Sequence, residues 1–255
     1  MVKKQSKRPT WVRNVYIGLG VVLFIISSGK VAYDKWNVND ALNVIDSVSN
    51  SQKVSKNYVA LSELPDYDGK NQVVKIQNNQ PNFTQADLSL TQDGWQTFAE
   101  LDQLNRVGQA NALLQKKMMP TSKRESIATV YPSGWKQKKI SADDWLYNRS
   151  HLIGFQFTGE NANPRNLLTG TKALNQDVMR LYEDEIAQYL RQTGHHVRYR
   201  VTPYFKGNEL VARGVQMEAQ SIEDQKIQLN IFIYNIQPGY VIDYTTGQSK
   251  KTSTH

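Results

Sequence analysis

Sixteen consecutive residues, 14–29, carry no charge, and the core of that run is Val15, Tyr16, Ile17, Gly18, Leu19, Gly20, Val21, Val22, Leu23, Phe24, Ile25 and Ile26. A membrane-crossing helix needs about 20 predominantly apolar residues. Arg13 and Lys30 can snorkel at the two ends, and Val31, Ala32 and Tyr33 extend the run. The chain therefore reads as residues 1–13, a cytoplasmic basic segment; 14–33, a transmembrane signal anchor; 34–57, a juxtamembrane tether; 58–247, one folded domain; and 248–255, a disordered tail. A signal cleaved near Ser27, Ser28, Gly29 or Ala32 is the alternative, with release of the remainder. Because the basic flank precedes the apolar run, the folded domain is expected outside the cytoplasmic membrane.

Charge supports a polyanionic partner only weakly. The chain has 31 Lys and Arg against 23 Asp and Glu, a formal charge of +8 and a pI near 9.4. Five of those net charges, Lys3, Lys4, Lys7, Arg8 and Arg13, lie before the apolar run, leaving +3 for everything after it. There is no cysteine, which excludes disulfides, thiolate metal sites and cysteine nucleophiles. No His-Glu-x-x-His pattern is present, which counts against a zinc peptidase.

The domain after the tether reads as α+β, with a mixed or antiparallel sheet and flanking helices. Short strands are expected at 73–76, 127–131 and 145–157, the last on the alternation of Trp145, Tyr147, Arg149 and His151. Residues 101–117 match neither period cleanly. Apolar Val178, Leu181, Ile186, Tyr189 and Leu190 predict a helix over 173–192, ended by Gly194. Strands follow at 197–205, 209–219 and 227–236, with a turn at Gly207 and Asn208 joining the first two. Runs of strand with few helices argue against a wound parallel sheet. Trp135 and Trp145 read as core residues.

Of the four histidines, His195 and His196 stand at a helix exit and His255 is terminal, whereas His151 lies inside a patterned strand. A lone histidine so placed is more often a packing residue than a catalyst. Its neighbours alter that weighting. Residues two apart on a strand share a face, so Arg149 and His151 point the same way, and a guanidinium beside an imidazole disfavours its protonation. A fixed cation for phosphate next to a neutral base suits phosphodiester hydrolysis. Asn163, Pro164, Arg165 and Asn166 form a polar turn, and Asn175 and Glu183, eight apart on the expected helix, lie about 80° apart around its axis and can border one cleft.

Asn148, Arg149, Ser150 and His151 resemble the Asp-Arg-Gly-His motif of the DNA/RNA non-specific endonucleases, the ββα-metal or His-Me finger group. Secreted streptococcal DNases share the Asn-Arg-Ser-His variant. The likeness runs over residues 58–244 and extends to the membrane-bound DNA-entry nucleases of Gram-positive bacteria. It implies a ββα-metal finger, a magnesium ion with manganese as the other candidate, and DNA as substrate with RNA left open. It further implies His151 as general base, Arg149 on the phosphate, Asn175 as the one side-chain metal ligand, Glu183 holding a metal-bound water, Asn166 in support and Arg106 stabilising the transition state. Lys123 and Arg124 are left as nucleic-acid contacts. Asn148 stands where the family has aspartate and Ser150 where it has glycine. The resemblance thus implies an endonuclease tied to the membrane, with a DNA-uptake apparatus as a partner. The rivals are a released nuclease and a non-catalytic DNA receptor. An imidazole with an ordinary pKa near 6.5 would make activity fall as pH drops toward 6.

Overall fold

The computed structural model describes residues 57–58 and 61–252, all within the compact unit Ile45–His255. The expected basic segment, transmembrane anchor and tether lie outside the described residues. Among the described residues no helix is long and apolar enough to cross a membrane.

The strands in chain order are β1 (Asn57–Tyr58), β2 (Val73–Ile76), β3 (Trp95–Phe98), β4 (Ala110–Leu114), β5 (Tyr147–His151), β6 (Leu167–Thr171), β7 (Val197–Tyr204), β8 (Gly214–Ser221), β9 (Gln228–Tyr234), β10 (Tyr240–Ile242) and β11 (Ser249–Lys251). Seven form one sheet in the order β1-β2-β9-β8-β7-β4-β3, antiparallel except for β1 with β2. The α+β expectation therefore holds.

Period-two alternation sorts the sheet's side chains onto two faces. Val197, Tyr199, Val201, Val215, Met217, Ala219, Ile231 and Ile233 point into the main core, where they meet Ile186, Ala187 and Leu190 of the long helix. The opposite face is mixed. Arg200 pairs through both Nε and Nη2 with the buried carboxylate of Glu218, its register partner on β8. Phe83, on the chain before β3, lies under the guanidinium groups of both Arg198 and Arg200. A buried ion pair is tolerable here because the aromatic ring and the hydrogen bonds replace part of the lost hydration.

Strands β5 and β6 form a separate antiparallel hairpin, followed by a π-helical turn (Ala173–Met179) and then α2 (Arg180–Thr193), with the short α1 (Phe155–Thr158) after β5. Gly194 closes α2 at φ +71°, a conformation a residue with a Cβ adopts only at a cost. Leu152, Ile153, Phe157, Leu168 and Leu174 carry the hairpin's apolar side into the main core. One buried amide is part of the polar connection. Asn235, just past β9, accepts from the Thr171 backbone N–H (2.8 Å) and donates to the carbonyls of Thr169 and Ala212 (3.0 Å each), joining β6 to the loop before β8.

Several local expectations change. Residues 127–131 form no strand, since the carbonyls of Ala128 and Val130 are taken by the Arg149 guanidinium. The expected strand 145–157 stops at His151, and helix α1 begins four residues on. Residues 101–117, unassigned from sequence, contain β4, whose register partners lie 12 to 18 residues earlier on β3 and 83 to 91 later on β7. The strand expected from 209 starts at Gly214, because Arg213 and Glu209 pair across the preceding loop. Trp145 is 46% exposed and is no core residue. The tail is ordered through Lys251, where β11 pairs with β10 and Tyr147 Oη donates to the Gly247 carbonyl (2.9 Å).

Ser150, the motif's departure from glycine, is fully buried, and a Cβ at Gly170 would stand 2.1 Å from its Oγ and 2.8 Å from its Cβ. The serine is accommodated by a glycine across the hairpin. Gly170→Ala should cost about 1 to 3 kcal/mol from overpacking, and adding Ser150→Gly should restore most of it. Equal unfolding midpoints for the single and double variants would refute this coupling.

Candidate active site

His151 ends β5 with its ring 6% exposed. Its Nε2 lies 2.8 Å from the Asn161 carbonyl, which can only accept, so Nε2 carries the proton and Nδ1 holds the lone pair that accepts from Arg124. Nδ1 is 3.3 Å from Arg124 Nη2. Burial first, and the Arg124 charge in addition, push the imidazole pKa down to about 4, against the partial upward pull of the Asn161 bond. Nδ1 is therefore a neutral base across the whole physiological range. The drop in activity expected near pH 6 is revised accordingly.

The turn after β5 is held by Asn166, which is fully buried. Its Oδ1 accepts from the Ile153 N–H (2.9 Å), its Nδ2 donates to the Ile153 carbonyl (3.0 Å), and its own carbonyl accepts from the Leu152 N–H (2.9 Å). This leads the chain into Gly154, where a Cβ would fall within 2.8 to 2.9 Å of the Glu183 carboxyl. Only a glycine lets that carboxyl lie against the backbone. Glu183, on the first turn of α2, accepts from the Gly154 N–H, yet its Oε1 is buried with no hydrogen-bond partner. Burial, then neighbouring Asp184, raise its pKa to about 8, partly opposed by Gly154 and Arg124. Arg124 thus acts on both the imidazole and the carboxyl.

Asn175 is half-buried on the π-helical turn, and its side-chain amide makes no hydrogen bond to the described residues. The π winding departs from the uniform α pitch assumed from sequence, and such turns concentrate at functional positions. The next residue, Gln176, donates to Asn148 Oδ1 (2.9 Å), which ties the turn to the strand that ends in His151. Among the described residues no group of three or more His, Cys, Asp or Glu could hold a metal. A free amide oxygen and an orphaned buried carboxylate oxygen fit a hard cation that keeps most of its water, and fit poorly a softer ion that wants nitrogen or sulfur.

Two arginines are placed otherwise than expected. Arg149 donates through Nε to Val130 and through Nη2 to Ala128 (2.7 Å), and its guanidinium lies 4.3 Å from the Trp135 ring centroid and 5.3 Å from that of Tyr131. It braces the loop alongside β5. Arg106 is paired with Asp102 (2.7 Å) and donates to the carbonyls of Gly207 (2.7 Å) and Glu209 (3.0 Å), which anchors the β7–β8 loop. Neither contacts His151; the arginine that does, Arg124, was expected from sequence only as a nucleic-acid contact beside Lys123, which is exposed. His195 and His196 lie elsewhere, paired with Asp224 and Glu223.

The raised Glu183 pKa has a sign that can be tested. An unfolded glutamate ionises near 4.5 and the folded one near 8, so without a cation the group lowers stability progressively as pH rises between those values. Glu183→Gln in chelator should match the wild type near pH 4.5. At pH 8 it should be more stable by on the order of 3 kcal/mol. A gap that fails to open with pH would contradict this environment for the carboxyl.

Residues 86–223 match the DNA/RNA non-specific endonuclease family. Among solved structures, NucA from Streptococcus agalactiae with magnesium bound is 27% identical with a TM-score of 0.61, covering 69% of this chain and 85% of that one. The same nuclease without metal is 25% identical with a TM-score of 0.64, covering 82% and 96%. Sda1 nuclease with bound zinc is 25% identical with a TM-score of 0.55, covering 63% and 80%. With more than half of its length matched, this chain belongs to the DNA/RNA non-specific endonuclease family and is a nuclease.

Proposed function

We propose that the chain is a magnesium-dependent endonuclease cutting DNA, and RNA where it meets it, outside the cytoplasmic membrane, with His151 as general base. The observation that carries the assignment is the tautomer of His151. The Asn161 carbonyl holds the proton on Nε2, which leaves Nδ1, beside Arg124, as the basic atom. In the reaction Nδ1 takes the proton of a water whose oxygen forms the new bond to phosphorus. One P–O ester bond breaks, and its oxygen leaves with one half of the strand.

Arg124 stands where it can neutralise charge building on the phosphate, and it takes the role expected of Arg106 and Arg149. As His151 gains a proton, the nearby guanidinium disfavours the imidazolium, which favours prompt proton release. Asn175 would ligate the cation directly and Glu183 through water, with Asn166 fixing the turn between them and the base; when bound, the ion supplies Lewis-acid stabilisation of the phosphate. Magnesium is the ion this donor set suits, and manganese prefers similar ligands. NucA is seen with magnesium and Sda1 with zinc; the absence of cysteine and the single imidazole favour the former ion here. The apolar run at 14–29 behind a basic flank supports a membrane anchor that holds the nuclease outside, beside a DNA-uptake apparatus.

The test is digestion of plasmid and of RNA by the purified chain, with magnesium, manganese or chelator. His151→Ala should lose roughly 10² to 10⁴-fold in kcat, and Arg124→Ala roughly 10² to 10³-fold. Arg106→Ala should lose stability with kcat changed only a few-fold. Binding without any cutting by the wild type would turn the reading to a receptor. At saturating metal the rate should hold as pH falls past 6 and decline only toward pH 4 to 5, where Nδ1 takes up its proton. A half-loss near pH 6.5 would show that the imidazole is not desolvated as described. Recovery of full-size protein in membranes, cut by protease added to intact cells, tests the anchor; a shortened form in the medium would favour release.

A further inference from the structure

Segment 121–140 concentrates the domain's charge. It carries Lys123, Arg124, Lys136, Lys138 and Lys139 against Glu125 alone, a net +4, whereas all residues after the first thirteen sum to +3. All other residues after the first thirteen therefore sum to −1, so this stretch is the local concentration of positive charge. The stretch runs along the catalytic strand: Arg124 meets His151, Ala128 and Val130 meet Arg149, and Trp135 meets Tyr147.

The same surface exposes aromatic rings. Among the described residues the large apolar side chains that stand most open include Tyr131 at 72% and Trp145 at 46%, and these are the two aromatics of that set. Each is backed by a cation: Arg149 lies 5.3 Å from the Tyr131 centroid, and Lys139 lies 5.3 Å from the Trp145 centroid. Arg149 is itself held against Trp135 and two carbonyls, so the Tyr131 ring rests on a fixed support. An exposed ring with a fixed cation behind it and lysines around it presents a π-face to a base and charge to its phosphates. A packing role would bury these rings.

We propose that Tyr131 and Trp145, with Lys136, Lys138 and Lys139, form a stacking track that binds unpaired nucleotides of a single strand leading away from the cleavage site. The proposal rests on the nuclease reading above and adds the strand form the enzyme grips. Arg149, which supports Tyr131, lies two residues before His151 on β5, and Trp145 lies six before it. At about 3.3 Å per residue these offsets are roughly 7 and 20 Å. Tyr131 therefore stands nearer the scissile bond than Trp145 does. A rigid duplex keeps its bases stacked on each other and offers the rings nothing.

The experiment measures binding of the full purified chain to a fluorescent single-stranded oligonucleotide of roughly 24 nucleotides, to its duplex and to a trinucleotide, in chelator so that nothing is cut. Tyr131→Ala with Trp145→Ala should weaken single-strand binding about tenfold or more, and duplex and trinucleotide binding less than threefold. Tyr131→Phe with Trp145→Phe should bind as the wild type does. Replacing Lys136, Lys138 and Lys139 with Gln should reduce the salt slope for the single strand by about 2. With magnesium, KM for the long strand should rise in the alanine variant while kcat holds. Unchanged single-strand binding, or an equal loss on the duplex, would overturn the track. Because binding is read without metal, a wild type that binds but does not cut would count against the catalytic assignment alone.

Discussion

The buried amide of Asn235 is the connection on which the site depends. The β5–β6 hairpin pairs with no strand of the large sheet, so its position is set by side-chain packing and by hydrogen bonds such as those of Asn235 with Thr171 and Thr169, of Thr171 Oγ1 with the Ile236 carbonyl and of Tyr147 Oη with the Gly247 carbonyl, while Asn235 also reaches Ala212. A fully buried amide is costly unless its donors and acceptor are satisfied, at about 1 to 3 kcal/mol for each unsatisfied group. That penalty is what makes the connection specific: slippage of the hairpin would strand several polar groups at once. With the hairpin fixed, β5 delivers His151, β6 leads into the π turn carrying Asn175, and α2 presents Glu183.

Desolvation then does two opposite things. It lowers the pKa of His151, which stays neutral and basic, and raises that of Glu183, which stays neutral and protonated until a cation arrives. Both groups are kept out of their charged forms by burial, and Arg124 adds to the first shift and opposes the second. The carboxyl with a buried, unpartnered oxygen is a destabilised feature of the resting protein, consistent with the pattern in which active sites retain groups unfavourable to the fold. Binding a cation would release a proton from Glu183 and remove that penalty together.

The motif's two departures from its family have different consequences. Ser150 is absorbed by Gly170 across the hairpin, so the strand pairing is preserved. Asn148 accepts from Gln176, so the position remains a brace between β5 and the π turn without a charge. Neither change touches Nδ1 of His151 or the amide of Asn175.

What the sequence determined by itself was local or periodic: the α+β class, the helix ending at Gly194 and the sheet strands after it, since spacing along a strand or helix dictates which face a residue occupies, whereas Asn166, Asn175 and Glu183 became site candidates beside His151 through the family resemblance. Only the tertiary structure decided which arginine meets the histidine, because Arg124, Arg149 and Arg106 differ in the carbonyls and rings that happen to lie near them and hardly at all in local sequence. The same holds for the neutral state of His151, set by Asn161 and by burial, and for the strand at 249–251, whose low apolarity hid a pairing made with β10. Each depends on residues distant in the chain that come together only when the core closes, and no local propensity encodes that proximity.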